Sequence, residues 1–123
     1  NLAITWSEPQ IFTSEQETQA AASIIAGGLT INCKTANVFT ASLNANISSI
    51  SFTNVPVSGV AYAFTMVLTA DGTARTVTWP GSVAWQNASA PTLTSTLNKR
   101  DVFVFLTYDA GATWLAYVAA QNQ

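Results

Sequence analysis

The sequence predicts an all-β fold, an antiparallel β-sandwich of jelly-roll type. Three observations carry that expectation. Apolar and polar residues alternate with period two in short runs from Leu29 onward. Turn-forming pairs such as Asp71-Gly72, Pro80-Gly81 and Ala110-Gly111 separate the runs. The remaining polar positions are rich in Thr, Ser and Asn, which suit the solvent face of strands and the loops between them.

In order along the chain, Leu29 to Lys34 alternates and contains Cys33. Phe39, Ala41 and Leu43 share one face of a strand, and Ile50 and Phe52 share a face of the next. Asn54-Val55-Pro56 and Val57-Ser58-Gly59 interrupt the pattern. Tyr62, Phe64, Met66 and Leu68 make the cleanest alternating run, with Thr65 and Thr69 on its other face. Asp71-Gly72 then stands between this run and Arg75–Trp79, which predicts a hairpin. Val83–Trp85 reads as a short strand and Thr92–Thr96 as an edge strand, since Pro91 sits at its start.

The last two runs differ in kind. Val102–Leu106 is apolar on both faces, and after the Asp109-Ala110-Gly111 turn the segment Thr113–Val118 is nearly so. A hairpin with two apolar faces needs two covers. One is the other sheet, and the second is expected to be another subunit. Phe103, Phe105, Trp114, Ala116 and Val118 are the candidate interface residues.

Residues 1–14 are expected to form an extended connector and residues 15–123 a single domain. Ser14-Glu15-Gln16-Glu17 matches a helix capping box, and Gly27-Gly28 could end such a helix. The Thr, Gln and Ala of this stretch suit an extended segment as well, and the reading leans that way. The chain starts at Asn1 without Met, so it is expected to be a piece of a longer protein.

Composition removes several functions. The 123 residues are 49% hydrophobic and only 8% charged, with a formal net charge of −2. Four basic residues, Lys34, Arg75, Lys99 and Arg100, form no stripe that could follow a phosphate backbone. No apolar run approaches the roughly 18 residues that span a bilayer, and no signal-peptide pattern occurs. There is no His, which excludes Ser-His-Asp and Cys-His catalysis and the His-based metal patterns. A lone Cys33 can form no intrachain disulfide. The Gly residues lack phosphate-loop spacing, and Asp71 and Asp109 sit where Asp makes turns rather than as a catalytic pair. The expectation is therefore no enzyme, no cofactor and no metal. Asn46-Ile47-Ser48 and Asn87-Ala88-Ser89 match the N-glycosylation pattern, which is common by chance.

Aromatic residues give the one hint of binding. Trp79 and Trp85 bracket the Pro80 turn, and exposed rings of this kind stack on sugars. Filling the core is the competing role for them. Trp79, Trp85, Asp71, Asn87 and Asp109 are the candidate receptor or glycan contacts, on loops 71–74, 80–91 and 109–112. Trp6 lies in the connector, where it could pack on a neighbour.

An ordered series of motifs completes the reading. Asn37-Val38-Phe39-Thr40, Asn54-Val55-Pro56 and Gly59 open it, and Asp71-Gly72-Thr73 with Arg75-Thr76-Val77-Thr78-Trp79-Pro80 forms its centre. Ser82-Val83-Ala84-Trp85, Ala90-Pro91-Thr92-Leu93-Thr94, Asp101-Val102-Phe103 and Asp109-Ala110-Gly111-Ala112-Thr113-Trp114 close it. This succession resembles a module of bacteriophage tail fibres and other virion appendages, over roughly residues 12–120. The resemblance implies a virion structural protein, a homotrimer in contact with other virion proteins and able to present loops to a host glycan or receptor. It brings no catalytic residues. The alternatives are a capsid decoration protein and a carbohydrate-binding module acting through its Trp residues.

Overall fold

A computed structural model of the chain describes residues 16–123. The 1–14 connector, Trp6 and the start of the capping box lie outside the described residues. Eight strands carry the fold: β1 (Gln19–Ala21), β2 (Gly28–Asn32), β3 (Val38–Leu43), β4 (Ser49–Thr53), β5 (Tyr62–Ala70), β6 (Val83–Trp85), β7 (Arg100–Thr107) and β8 (Trp114–Ala120). Among the described residues the one helical element is a single 3-10 turn, Gln86–Ala88. The protein is all-β, and residues 16–25 are extended rather than helical.

The strand orientations are mixed. A six-stranded sheet has the order β1-β3-β5-β7-β8-β6, and β2 and β4 form a second sheet. β1, β3 and β5 run parallel, as do β2 and β4. Only β5–β7 and β7–β8 are antiparallel, and β6 lies parallel to β8. The expectation of an antiparallel fold therefore holds for the last hairpin and its neighbour alone. The physical reason is the path of the first half. Each strand from β1 to β4 is followed by one in the other sheet, so the chain coils and lays each turn beside the previous one in the same direction. The coil continues past β5, where Ile47 and Val77 make a parallel bridge.

The corners of this coil explain several residues. Ile25 and Gly28 exchange both backbone hydrogen bonds around Ala26 (φ 49°) and Gly27 (φ 79°). A Cβ on Gly27 would lie 2.6 Å from Ser48 Oγ on the next turn of the coil, so close approach and backbone conformation both require glycine there. Asparagines tie successive turns together. Asn54 Nδ2 donates to Asn32 Oδ1 at 2.9 Å, Asn37 Nδ2 donates to the Ala63 carbonyl at 3.0 Å, and the Thr76 N–H donates to Asn46 Oδ1 at 3.0 Å. An amide carries both donors and an acceptor, so it can bridge strands whose own ladder has ended.

Two further expectations fail. Asp71-Gly72 does turn the chain, but Arg75–Trp79 does not pair back on β5, whose edges are already filled by β3 and β7. Val77 goes instead to Ile47 in the second layer. Thr92–Thr96 forms no strand. Its Thr94 is drawn to the carboxylate of Asp101 instead of a strand edge.

One core joins both sheets. Phe39, Leu43, Phe64, Met66, Leu68, Phe103, Phe105 and Trp114 of the large sheet meet Leu29, Ile31, Ile47 and Ile50, all buried. Phe64 is the hub. Its ring lies 4.8 Å from Phe105 in a stack, 5.5 Å edge-on to Phe39, 5.4 Å edge-on to Trp114 and 6.0 Å from Phe52 of β4. The alternating runs thus turn their apolar side inward, as period two demands.

Candidate functional site

The residues singled out in the sequence divide between core, turns and one surface groove. Phe103, Phe105 and Trp114 are fully buried and Ala116 nearly so, within this one chain. Val118 packs against the same core. Phe103, Phe105, Trp114 and Ala116 are thus spent inside the chain rather than at a subunit interface, which corrects the expectation for these four, and Val118 is half-buried on the same side. Facing pairs Phe103–Val118 and Phe105–Ala116 lie on the inner side of the β7–β8 hairpin, under β4 and the Trp79–Trp85 pair. The outward set of the hairpin is the alternate one: Val102, Val104 and Leu106 on β7, Leu115 and Tyr117 on β8. Leu115 is 43% exposed and Tyr117 48%.

The two candidate tryptophans touch each other, 4.8 Å apart and edge-on. Both are half-buried and rest on Phe103 and Phe105, so core packing accounts for most of each ring. Trp85 Nε1 and Trp114 Nε1 are buried with no hydrogen-bond partner among the described residues.

The three polar candidates do not converge. Asp71 follows β5 at the end of the sheet where Thr69 pairs with Arg100, whereas Asp109 follows β7 at the opposite end, where Tyr62 pairs with Thr107. Asp71 Oδ1 accepts the Thr73 N–H at 3.1 Å, and its Oδ2 pairs with Arg75 Nη2 at 2.7 Å. The guanidinium beside it holds the Asp71 carboxyl below the usual range. Asp109 Oδ1 accepts from the Thr113 N–H at 2.9 Å and from Thr107 Oγ1 at 3.0 Å. The Thr113 N–H is the main reason that its carboxyl is also lowered. This cap leads into Ala110 (φ 59°) and Gly111 (φ 80°), where a Cβ would crowd Val55 and Trp114. Asn87 is exposed in the 3-10 turn in a left-handed conformation (φ 58°), which Asn tolerates. Each residue thus has a structural task, and no single contact site unites them.

Cys33 is buried beside the Tyr62 hydroxyl, which donates to the Ala36 carbonyl. Burial raises the Cys33 thiol above its ordinary value, partly offset by hydrogen bonds from its own backbone and from Tyr62. Burial likewise raises Tyr62, with the neighbouring Cys33 adding to it. A thiol kept protonated and covered is a poor nucleophile. In native protein at neutral pH, Cys33 should leave an aromatic disulfide reagent unreacted and release one equivalent of product after denaturant is added. Fast release without denaturant would refute this burial.

The sequence reading missed the Asp101 carboxylate. Asp101 is 2% exposed and accepts four hydrogen bonds: from Thr94 N–H (2.7 Å), Thr94 Oγ1 (2.6 Å), Asn122 N–H (3.1 Å) and Gln121 Nε2 (3.3 Å). It fastens the 92–96 segment and the C-terminal residues to the start of β7. A signal existed, because Asp101 has the same parity as Phe103 and Phe105 and must point inward with them. No group of three or more His, Cys, Asp or Glu among the described residues is placed to hold a metal ion. Among those residues, no helix is long and apolar enough to cross a membrane.

Compared with known protein families, with characterised proteins and with solved structures, the chain matches none.

Proposed function

We propose that the chain is a structural module of a bacteriophage virion appendage, a two-layer β-sandwich that assembles as a homotrimer. The observation that carries the assembly is the outer face of the six-stranded sheet. Its central row across four strands is Val38, Thr65, Val104 and Tyr117, and the next row is Ala63, Leu106, Leu115 and Ala84. Neither row contains a charge. Six strands at about 4.8 Å spacing make a face about 24 Å wide, a size suited to a standard interface of ~800 Å² per partner. A second copy brings the same two uncharged rows, with no like charges set against each other there. Among the described strands, the edges of this sheet, β1 and β6, have only three residues each, which leaves little for edge-to-edge pairing through it.

The virion assignment rests on the ordered motifs from Asn37 to Trp114 and their resemblance to appendage modules. Such a part works by shape and attachment, which agrees with carboxylates committed to turns and to the Asp101 clamp. Light scattering after size exclusion should give three times the chain mass at micromolar concentration. Val104→Lys, at the middle of the face, should give a folded monomer with unchanged far-UV circular dichroism. A parent chain that is a stable monomer would refute the assembly.

A further inference from the structure

A second surface feature stands apart from the sheet face and from any assembly through it. Arg75 to Trp79 and Ala90 to Leu93 run past one another and leave a groove of about 240 Å³. Trp79 forms part of its lining. The indole is held by Trp85 at 4.8 Å and by Phe103 and Phe105 at 5.9 Å each, so the platform is fixed before any ligand arrives. Pro91 and Leu93 supply apolar lining, and Thr76 and Thr92 bring hydroxyls.

Arg75 stands at the same groove. Its Nη2 and Nε are engaged by Asp71, at 2.7 and 3.4 Å, while Nη1 takes no part in the pair. Both side chains of the pair remain about a quarter exposed, 25% and 27%. Arg75 therefore brings the groove a donor whose charge Asp71 balances.

We propose that this groove binds one neutral pyranose ring of a glycan. A pyranose has an apolar C–H face for an indole and a rim of hydroxyls that both donate and accept, which is the complement of Trp79 with Arg75, Thr76 and Thr92. An anionic ligand would have to compete with Asp71 for the guanidinium. The volume lies below the ~300–1,000 Å³ of sites for drug-sized ligands, so the groove takes a single residue of a chain. Binding of one ring is then roughly millimolar, and useful strength would come from several copies engaging one polysaccharide.

The test is an amide and indole NMR titration of the whole chain. The probes are the methyl glycosides of glucose, galactose, mannose, N-acetylglucosamine and rhamnose, with methyl glucuronide as the anionic control. At least one neutral glycoside should shift the Trp79 indole N–H and the Arg75 and Thr92 amides saturably. Arg75→Ala should weaken that binding about tenfold, the scale of one charge-assisted hydrogen bond, with thermal unfolding unchanged. Thr92→Val, which leaves the backbone intact, should weaken it several-fold. The proposal is overturned if no neutral glycoside moves these signals, if shifts persist undiminished in Arg75→Ala, or if glucuronide binds more tightly than every neutral probe. None of these outcomes depends on the oligomeric state, so the groove and the assembly stand or fall separately.

Discussion

Phe64→Ala should lower the unfolding free energy by about 3–5 kcal/mol, the scale of truncating a fully buried phenylalanine. The ring is 1% exposed and is stacked on Phe105 at 4.8 Å, so no water can fill the space at once. It also touches both sheets, through Phe105 and Trp114 on one side and Phe52 on the other. A loss of this size is a large part of the ~5–15 kcal/mol that holds a typical domain together. Urea unfolding followed by tryptophan fluorescence reads the effect. Should Phe64→Ala prove insoluble, Phe64→Leu keeps most of the volume and should cost about 1–2 kcal/mol. If either variant unfolded at the parent midpoint, Phe64 would not be the link between the two sheets.

Asp101→Ala should cost about 3 kcal/mol although it removes a charged residue from a largely apolar chain. The carboxylate accepts two backbone N–H groups and two side-chain donors. Without it, the half-buried Thr94 keeps two donors that have lost their acceptor, at about 1–3 kcal/mol each, whereas the exposed Gln121 and Asn122 can turn to water. Asp101→Asn is the sharper variant. It keeps the shape but turns an NH2 group toward donors, so it should also destabilise, by about 2 kcal/mol. Thr94→Val removes one hydroxyl donor, and its effect should be smaller in the Asp101→Ala background than in the parent, because the two groups act on each other. Additive losses would show that the clamp does not exist, and an Asp101→Ala change within ~0.5 kcal/mol would place the residue at the surface.

The strands were legible because period two is a local property. Phe39-Ala41-Leu43 and Tyr62-Phe64-Met66-Leu68 appear where the alternation puts them, with their apolar side inward, and the β7–β8 hairpin forms where it was expected. Pairing partners were not legible, because alternation describes a strand's two faces and is silent about its two edges. Asp71-Gly72 illustrates this. Its turn chemistry is real, but Arg75 and Thr73 satisfy the Asp locally, and the chain crosses to Ile47. Composition alone does not reveal whether Asn lies in a loop or bridges two turns of a coil, as Asn46 and Asn54 do. On the β7–β8 hairpin, the sequence showed two apolar faces but not which one the chain would cover itself.

The coiled path of the first half has a consequence for how the protein is made. Among the described strands, β7 and β8 alone are neighbours both in sequence and in a sheet. Every other pairing closes a long loop before it gains anything, and such topologies fold slowly. A ribosome delivers the coil first and the hairpin last. β5 therefore emerges with one edge uncovered, and waits for β7 to close that edge. During that interval the open edge of β5 is a row of unpaired backbone groups that any other exposed strand can join.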